Sequence, residues 1–134
     1  MDPRGLTLRV ELDRARPPRG VTRVGNAGHE VVRLWTSGSR WGDEMLSFRI
    51  DETPIARTLQ IYTVNVRSCT PLEPGDSLPL PFDLDDGTWE PRPPPSGRSL
   101  TAILQIAPSP EADAFDLWTG RVVSPPVSLT GHSA

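Results

Sequence analysis

Between Leu6 and Asp13 apolar and polar residues alternate without a break. Leu6, Leu8, Val10 and Leu12 fall on one face, and Thr7, Arg9, Glu11 and Asp13 on the other. A strand turns successive side chains to opposite faces, whereas helical spacing would scatter those four apolar residues, so the pattern predicts a half-buried β-strand. Val21 to Val24 predicts a short second strand, and Val31 to Thr36, rich in β-branched and aromatic residues, a third. Alternation returns from Met45 to Ile50 and again from Leu59 to Val66. Leu78, Leu80, Phe82 and Leu84 alternate with Pro79 and Pro81, which lack an N–H and so mark an edge strand. Leu100, Ala102, Leu104 and Ile106 define the next strand. Val122 to Leu129, broken by Pro125-Pro126, closes the series.

Turn chemistry separates these runs. Asn26-Ala27-Gly28 supplies residues that tolerate positive φ. In Leu72-Glu73-Pro74-Gly75-Asp76-Ser77, Pro presets the first central position and Gly takes the second, the type II pattern. Asp51-Glu52-Thr53-Pro54 reads as a break and Asp85-Asp86-Gly87 as a hairpin turn. Trp89 to Arg98 reads as a long proline-rich loop, and Glu111 to Phe115 as one helical turn inside a loop. About eight strands at regular spacing, with no useful helical period, predict an all-β antiparallel sandwich. The 134 residues suit a single domain, with its core between about residue 5 and residue 130 and a flexible C-terminal tail.

Composition changes this picture little. Pro (16) and Gly (11) are abundant, but the prolines cluster between the alternating segments, as loops of an ordered β protein do. The net charge of −3 hides an asymmetry: Met1 to Val24 carries six Arg against three acids, and Thr70 to Gly120 two Arg against nine acids. A chain so divided lacks the continuous basic face that nucleic acid requires. With no apolar run of membrane-spanning length and no signal-like N-terminus, the expectation is a cytoplasmic protein, neither in a membrane nor bound to nucleic acid.

The succession of strand, Asn26-Ala27-Gly28, Val31 to Trp35, Phe48-Arg49-Ile50-Asp51, Tyr62-Thr63 and Leu72 to Ser77 resembles bacterial immunoglobulin-like domains. Within these it is similar to the intracellular proteinase inhibitor (BsuPI-type) group, over about Leu6 to Phe82. The resemblance implies a seven- to eight-stranded immunoglobulin-like sandwich that binds a protein partner without catalysis, in one version a protease. It carries no inhibitory residue over to this chain.

Candidate chemistry is sparse. The single cysteine, Cys69, and the two histidines, His29 and His132, are scattered, which disfavours a Cys–His enzyme and a zinc site, so no cofactor is expected. Asp83, Asp85 and Asp86 offer hard oxygen ligands for calcium, but Asp-Gly between strands is first a hairpin signal. Trp35 reads as core. Trp41, Trp89 and Trp118 fall at strand ends or loops, and Trp41 and Trp89 lie near Arg40 and Arg92. Aromatic and Arg side chains dominate binding hot spots. The expected contact set is therefore Arg40, Trp41, Trp89, Arg92 and Trp118, or strand addition along Leu78 to Phe82. A carbohydrate-binding or calcium-dependent adhesive module is the alternative reading.

Overall fold

The computed structural model describes residues 5–13, 19–36, 40–58, 68–93 and 97–129. The described strands are β1 (Leu6–Leu12), β2 (Arg19–Asn26), β3 (Val32–Trp35), β4 (Leu46–Ile50), β5 (Thr53–Arg57), β6 (Cys69–Leu72), β7 (Ser77–Asp83), β8 (Trp89–Glu90), β9 (Ser99–Ile106), β10 (Gly120–Val123) and β11 (Val127–Ser128). Two short helices join them, α1 (Arg40–Glu44) and α2 (Pro110–Ala114). The chain is an all-β sandwich, and every strand pair is antiparallel.

One sheet has the order β1-β2-β7, and the second runs β10-β9-β4-β5-β8, with β11 also on β9. A separate ladder joins β3 to β6. The alternation read from the sequence sets the inner faces. Leu6, Leu8 and Val10 of β1, Val24 of β2 and Leu80 and Phe82 of β7 are buried from one side. Leu46, Phe48 and Ile50 of β4, Ile55 of β5 and Leu100, Ala102, Leu104 and Ile106 of β9 are buried from the other. The sheets meet where the Phe48 and Phe82 rings lie 4.5 Å apart, a separation typical of packed aromatic pairs.

Where the sequence expects a break at Asp51 to Pro54, the structure has only a two-residue turn. Ile50 pairs with Thr53 and Arg49 with Pro54, so β5 begins immediately. Asp51 takes φ +51, and its carboxylate accepts from the backbone N–H of Arg98 (3.2 Å) and Ser99 (3.1 Å). These bonds hold a strained turn residue in place. Pro54 is exposed, and a proline that reads as punctuation is tolerated where no ladder partner needs its N–H. The expected loop from residue 38 to 44 contains α1, and the turn expected at Glu111 is α2, whose Ser109 hydroxyl caps Ala112 N–H at 3.0 Å. The strand expected from Leu59 to Val66 lies outside the described residues.

The two turns that carry the family resemblance dock on one another. Asn26, 2% exposed, donates its amide to the Leu72 carbonyl (2.9 Å) and the Glu30 carbonyl (2.8 Å), and accepts from Gly28 N–H (3.0 Å). Its backbone exchanges hydrogen bonds with the other turn: Asn26 N–H donates to Asp76 O (3.0 Å), and Gly75 N–H to Asn26 O (2.7 Å). Gly75 sits at φ +88, the positive value a type II turn requires.

In the second sheet, β10 and β11 share β9 with a one-residue offset. Val123 opposes Ile103, yet Val127 opposes Leu100. The extra residue falls at Pro125-Pro126 and forms a bulge. Ser124 manages the break: its hydroxyl accepts Ala102 N–H at 2.9 Å and donates to the Pro125 carbonyl at 3.0 Å.

Candidate functional site

The tryptophans of the expected contact set are largely inside. Trp89 is 3% exposed and Trp118 is 1% exposed. Trp41, on α1, is partly buried with its ring 6.1 Å from that of Trp35, which in turn meets Phe115 at 5.3 Å. Neither Trp89 nor Trp118 presents a ring as a binding platform, because each indole has more apolar area to gain by closing the sandwich than by facing water. The backbone N–H of Trp118 donates to the Arg33 carbonyl at 2.9 Å, and Gly120 leaves room for the ring. Arg92 is exposed beyond β8; the Arg40 side chain lies outside the described residues.

The aspartates at the end of β7 act as turn caps. Asp83 Oδ1 accepts Asp85 N–H at 2.9 Å, and Asp86 Oδ1 accepts the Thr88 N–H (2.8 Å) and hydroxyl (2.6 Å). Among the described residues, no group of three or more His, Cys, Asp or Glu side chains is arranged to hold a metal ion. Cys69 pairs with Trp35 at one end of the β3–β6 ladder, while the turn that carries His29 docks at Leu72, the other end. Three residues of strand span about 10 Å, so the chain does not bring the two side chains together as a nucleophile and base.

What the fold does assemble centres on Arg57, a residue the sequence reading passes over. Arg57 ends β5 and stands opposite Trp89 of β8. Directly opposed residues project to the same face, and the guanidinium carbon of Arg57 lies 4.6 Å from the Trp89 ring centroid. Below the indole, Phe48 meets it edge-on at 5.3 Å. Arg57 Nη1 donates to Thr88 Oγ1 at 3.3 Å, and Thr88 is itself held by Asp86, as above. A relay from turn aspartate to threonine to arginine thus fixes the stack on strand residues. Two donors in it are left over: Arg57 Nε and Trp89 Nε1 are buried with no hydrogen-bond partner among the described residues. Burying an N–H unpaired costs about 1–3 kcal/mol each.

Two concavities meet at this arginine. An open groove of about 610 Å³ is lined by Asp13, Arg19, Gly20, Val21, Arg57, Pro81, Phe82, Asp83 and Asp86. A narrower notch of about 80 Å³ runs between Gly42 and Asp43 of α1, Leu46, Leu80, Pro81, Arg57 and Trp89. Arg57 and Pro81 line both, so the notch opens beside the groove. Among the described residues, neither set of walls includes Ser, Thr, Cys or His. The groove offers carboxylates and guanidinium groups; the notch offers buried donors. Elsewhere the charges neutralise each other at the surface. Glu11 lies between Arg23 (2.8 Å) and Arg9 (3.0 Å) on the outer face of β1 and β2, and the hydrogen bond from Arg23 holds its carboxyl below the usual value.

Comparison of the chain with family models, with curated proteins and with solved structures yields no match. No helix among the described residues is long and apolar enough to cross a membrane.

Proposed function

We propose that the chain is an immunoglobulin-like module that binds a polypeptide partner in the groove beside β7 and performs no reaction on it. The order β1-β2-β7 against β10-β9-β4 supports the immunoglobulin-like assignment, since it matches A, B and E strands packed on G, F and C. The observation that carries the binding reading is the groove itself. It is built on strand residues of both sheets and ends at a stacked arginine with unsatisfied donors. Preformed concavity with a few fixed polar groups is the usual form of a recognition site.

Side-on occupation of the groove fits β7 better than strand addition. Pro79 and Pro81 are both exposed, opposite Arg23 and Val21 of β2. Prolines at alternate positions of a paired strand direct their missing N–H groups to the outer edge. That edge therefore lacks donors at two successive sites, which blunts it toward an incoming strand. The resemblance to the inhibitor group makes an endopeptidase one class of partner to assay.

The test is a displayed random-peptide library panned against the folded protein, with Val21→Arg as the counter-selecting variant. Val21 is half-buried on the groove wall, so an arginine there obstructs the groove. Peptides that bind the parent protein and lose about tenfold or more in affinity on V21R support the reading. Recovery of no groove-dependent binder, with an unchanged urea midpoint for V21R, overturns it.

A further inference from the structure

We infer that the notch over Trp89 is a carboxylate site, filled by an acidic side chain of the bound polypeptide and read by the free edge of the Arg57 guanidinium together with the indole N–H. The inference rests on the binding reading above and goes further by naming the group that the partner brings to the notch.

The donors set the chemistry. Trp89 is 3% exposed, lines the notch and has an indole N–H with no partner among the described residues. The guanidinium of Arg57 lies 4.6 Å over the same ring, and its Nε–H is likewise buried without a partner. Nη1 is turned to Thr88, so the side that remains is the one where Nε–H and an Nη2 N–H point in parallel. That edge matches the two oxygens of a carboxylate, and charge on both partners makes such a pair of bonds stronger than two neutral ones. The indole supplies a third donor. A carbonyl oxygen has two lone pairs and would leave one of the three donors idle, whereas a carboxylate has acceptor sites for all of them. The Nη1 bond to Thr88 is long, at 3.3 Å, so a small turn of the guanidinium admits a ligand oxygen while the stack on the indole is kept.

Size and the charges already present narrow the source. A volume of about 80 Å³ is room for roughly two or three water molecules. That suits a carboxyl group on a short aliphatic stem, with Leu46, Leu80 and Pro81 against the stem, and is too small for a whole chain-terminal residue. Among the described residues no carboxylate of the protein fills the role. Asp43, on the notch wall, and Asp13, in the groove, are each engaged with a partner of their own. Asp86 reaches Arg57 only through the Thr88 hydroxyl, and among the described residues Arg57 forms no ion pair. The rim selects neither sign. Asp83, Asp86 and the exposed Asp85 and Glu90 are offset by Arg19 and the exposed Arg92, and the segment between Asp13 and Arg19 adds Arg14 and Arg16. Selection is therefore local to the notch. An anion that enters it gives up its hydration, and three directed N–H groups, two of them on a cation, take the place of that water.

The Trp89 indole N–H reports directly on the notch in a proton–nitrogen correlation spectrum. The protein is titrated at matched ionic strength with three probes: N-acetyl-glutamate methylamide, its neutral isostere N-acetyl-glutamine methylamide, and N-acetyl-alanine, whose carboxylate is terminal. The expected result is a saturable shift of the Trp89 resonance with the glutamate probe, at a Kd lower by about tenfold or more than for either of the others. Arg57→Lys keeps the positive charge but lacks the parallel fork, so it should lose that preference, with the dispersion of the remaining indole resonances as the check that it is folded. Equal affinity for the glutamate and glutamine probes overturns the carboxylate assignment. Tighter binding of N-acetyl-alanine overturns the side-chain source, and a folded R57K that keeps the full preference overturns the role of the fork. In each of these cases the groove reading stands. No response to any probe overturns this inference alone, because the panning experiment decides the binding reading independently.

Discussion

Replacing Asn26 with alanine should be the most damaging single change to the polar framework, and the structure says by how much. The substitution removes three side-chain hydrogen bonds: two given to the carbonyls of Leu72 and Glu30 and one taken from Gly28 N–H. Each is worth about 1 kcal/mol net. The Leu72 bond is buried, so its carbonyl is left unpaired, adding about 1–3 kcal/mol, while water partly replaces the bonds to Glu30 and Gly28. The expected cost is about 3–5 kcal/mol, or a fall in Tm of roughly 10–20 °C for a chain of this length. Urea unfolding followed by the fluorescence of the buried tryptophans measures it. Asn26→Asp separates the hydrogen-bond account from simple packing, because it is nearly isosteric and keeps the acceptor for Gly28. The introduced carboxylate would face two carbonyl oxygens, which raises its folded pKa above its unfolded value. Relative stability is then fully present below the unfolded pKa and lost as pH rises through the folded one. N26D should accordingly be more destabilised at pH 7 than at pH 4 when each is compared with the parent protein. A cost below about 1 kcal/mol for N26A, or no pH dependence in the N26D difference, would refute the argument.

Three smaller perturbations test other parts of the framework. Thr22 is fully buried and its hydroxyl has no partner among the described residues, so T22V should stabilise the protein by about 1 kcal/mol, seen as a higher urea midpoint with an unchanged m-value. Ser124→Ala deprives the buried Ala102 N–H of its acceptor and should cost about 1–3 kcal/mol, with faster hydrogen exchange at Ala102 as the local signature. Arg23→Ala should raise the Glu11 pKa toward the ordinary glutamate value, because the Arg23 hydrogen bond is the main cause of its depression. In the parent protein that contribution is present above the unfolded carboxylate pKa and fades as pH falls through the folded one. A carboxyl-carbon titration of Glu11 measures the shift, and an unchanged value in R23A would show that the arginine is not its cause.

The sequence by itself determined the layers of this protein. Alternation at Leu6 to Leu12, Leu46 to Ile50, Leu78 to Leu84 and Leu100 to Ile106 sorts inner from outer positions, because a strand has only two faces and one must leave water. It also determined the turns: Gly75 and Asn26 are local chemistry, legible in a few consecutive residues. The same alternation placed Pro79 and Pro81 on the exposed face of an edge strand, where β7 pairs only with β2 among the described residues. Strand β5 and the burial of Trp89 and Trp118 were not legible. Thr53-Pro54 is turn-like in isolation, and only pairing with Arg49 and Ile50 makes it a strand. Trp89 sits among prolines and acids that suggest a loop, yet β5 and Phe48 close over its ring. The candidate site depends on the same long-range contacts. Arg57 has no neighbour in sequence that marks it, and its meaning comes from Trp89 and Thr88, some thirty residues away. Periodicity reports which face a residue occupies; which residue stands across from it is decided only when the sheets assemble, because cross-strand pairing follows register and not sequence distance.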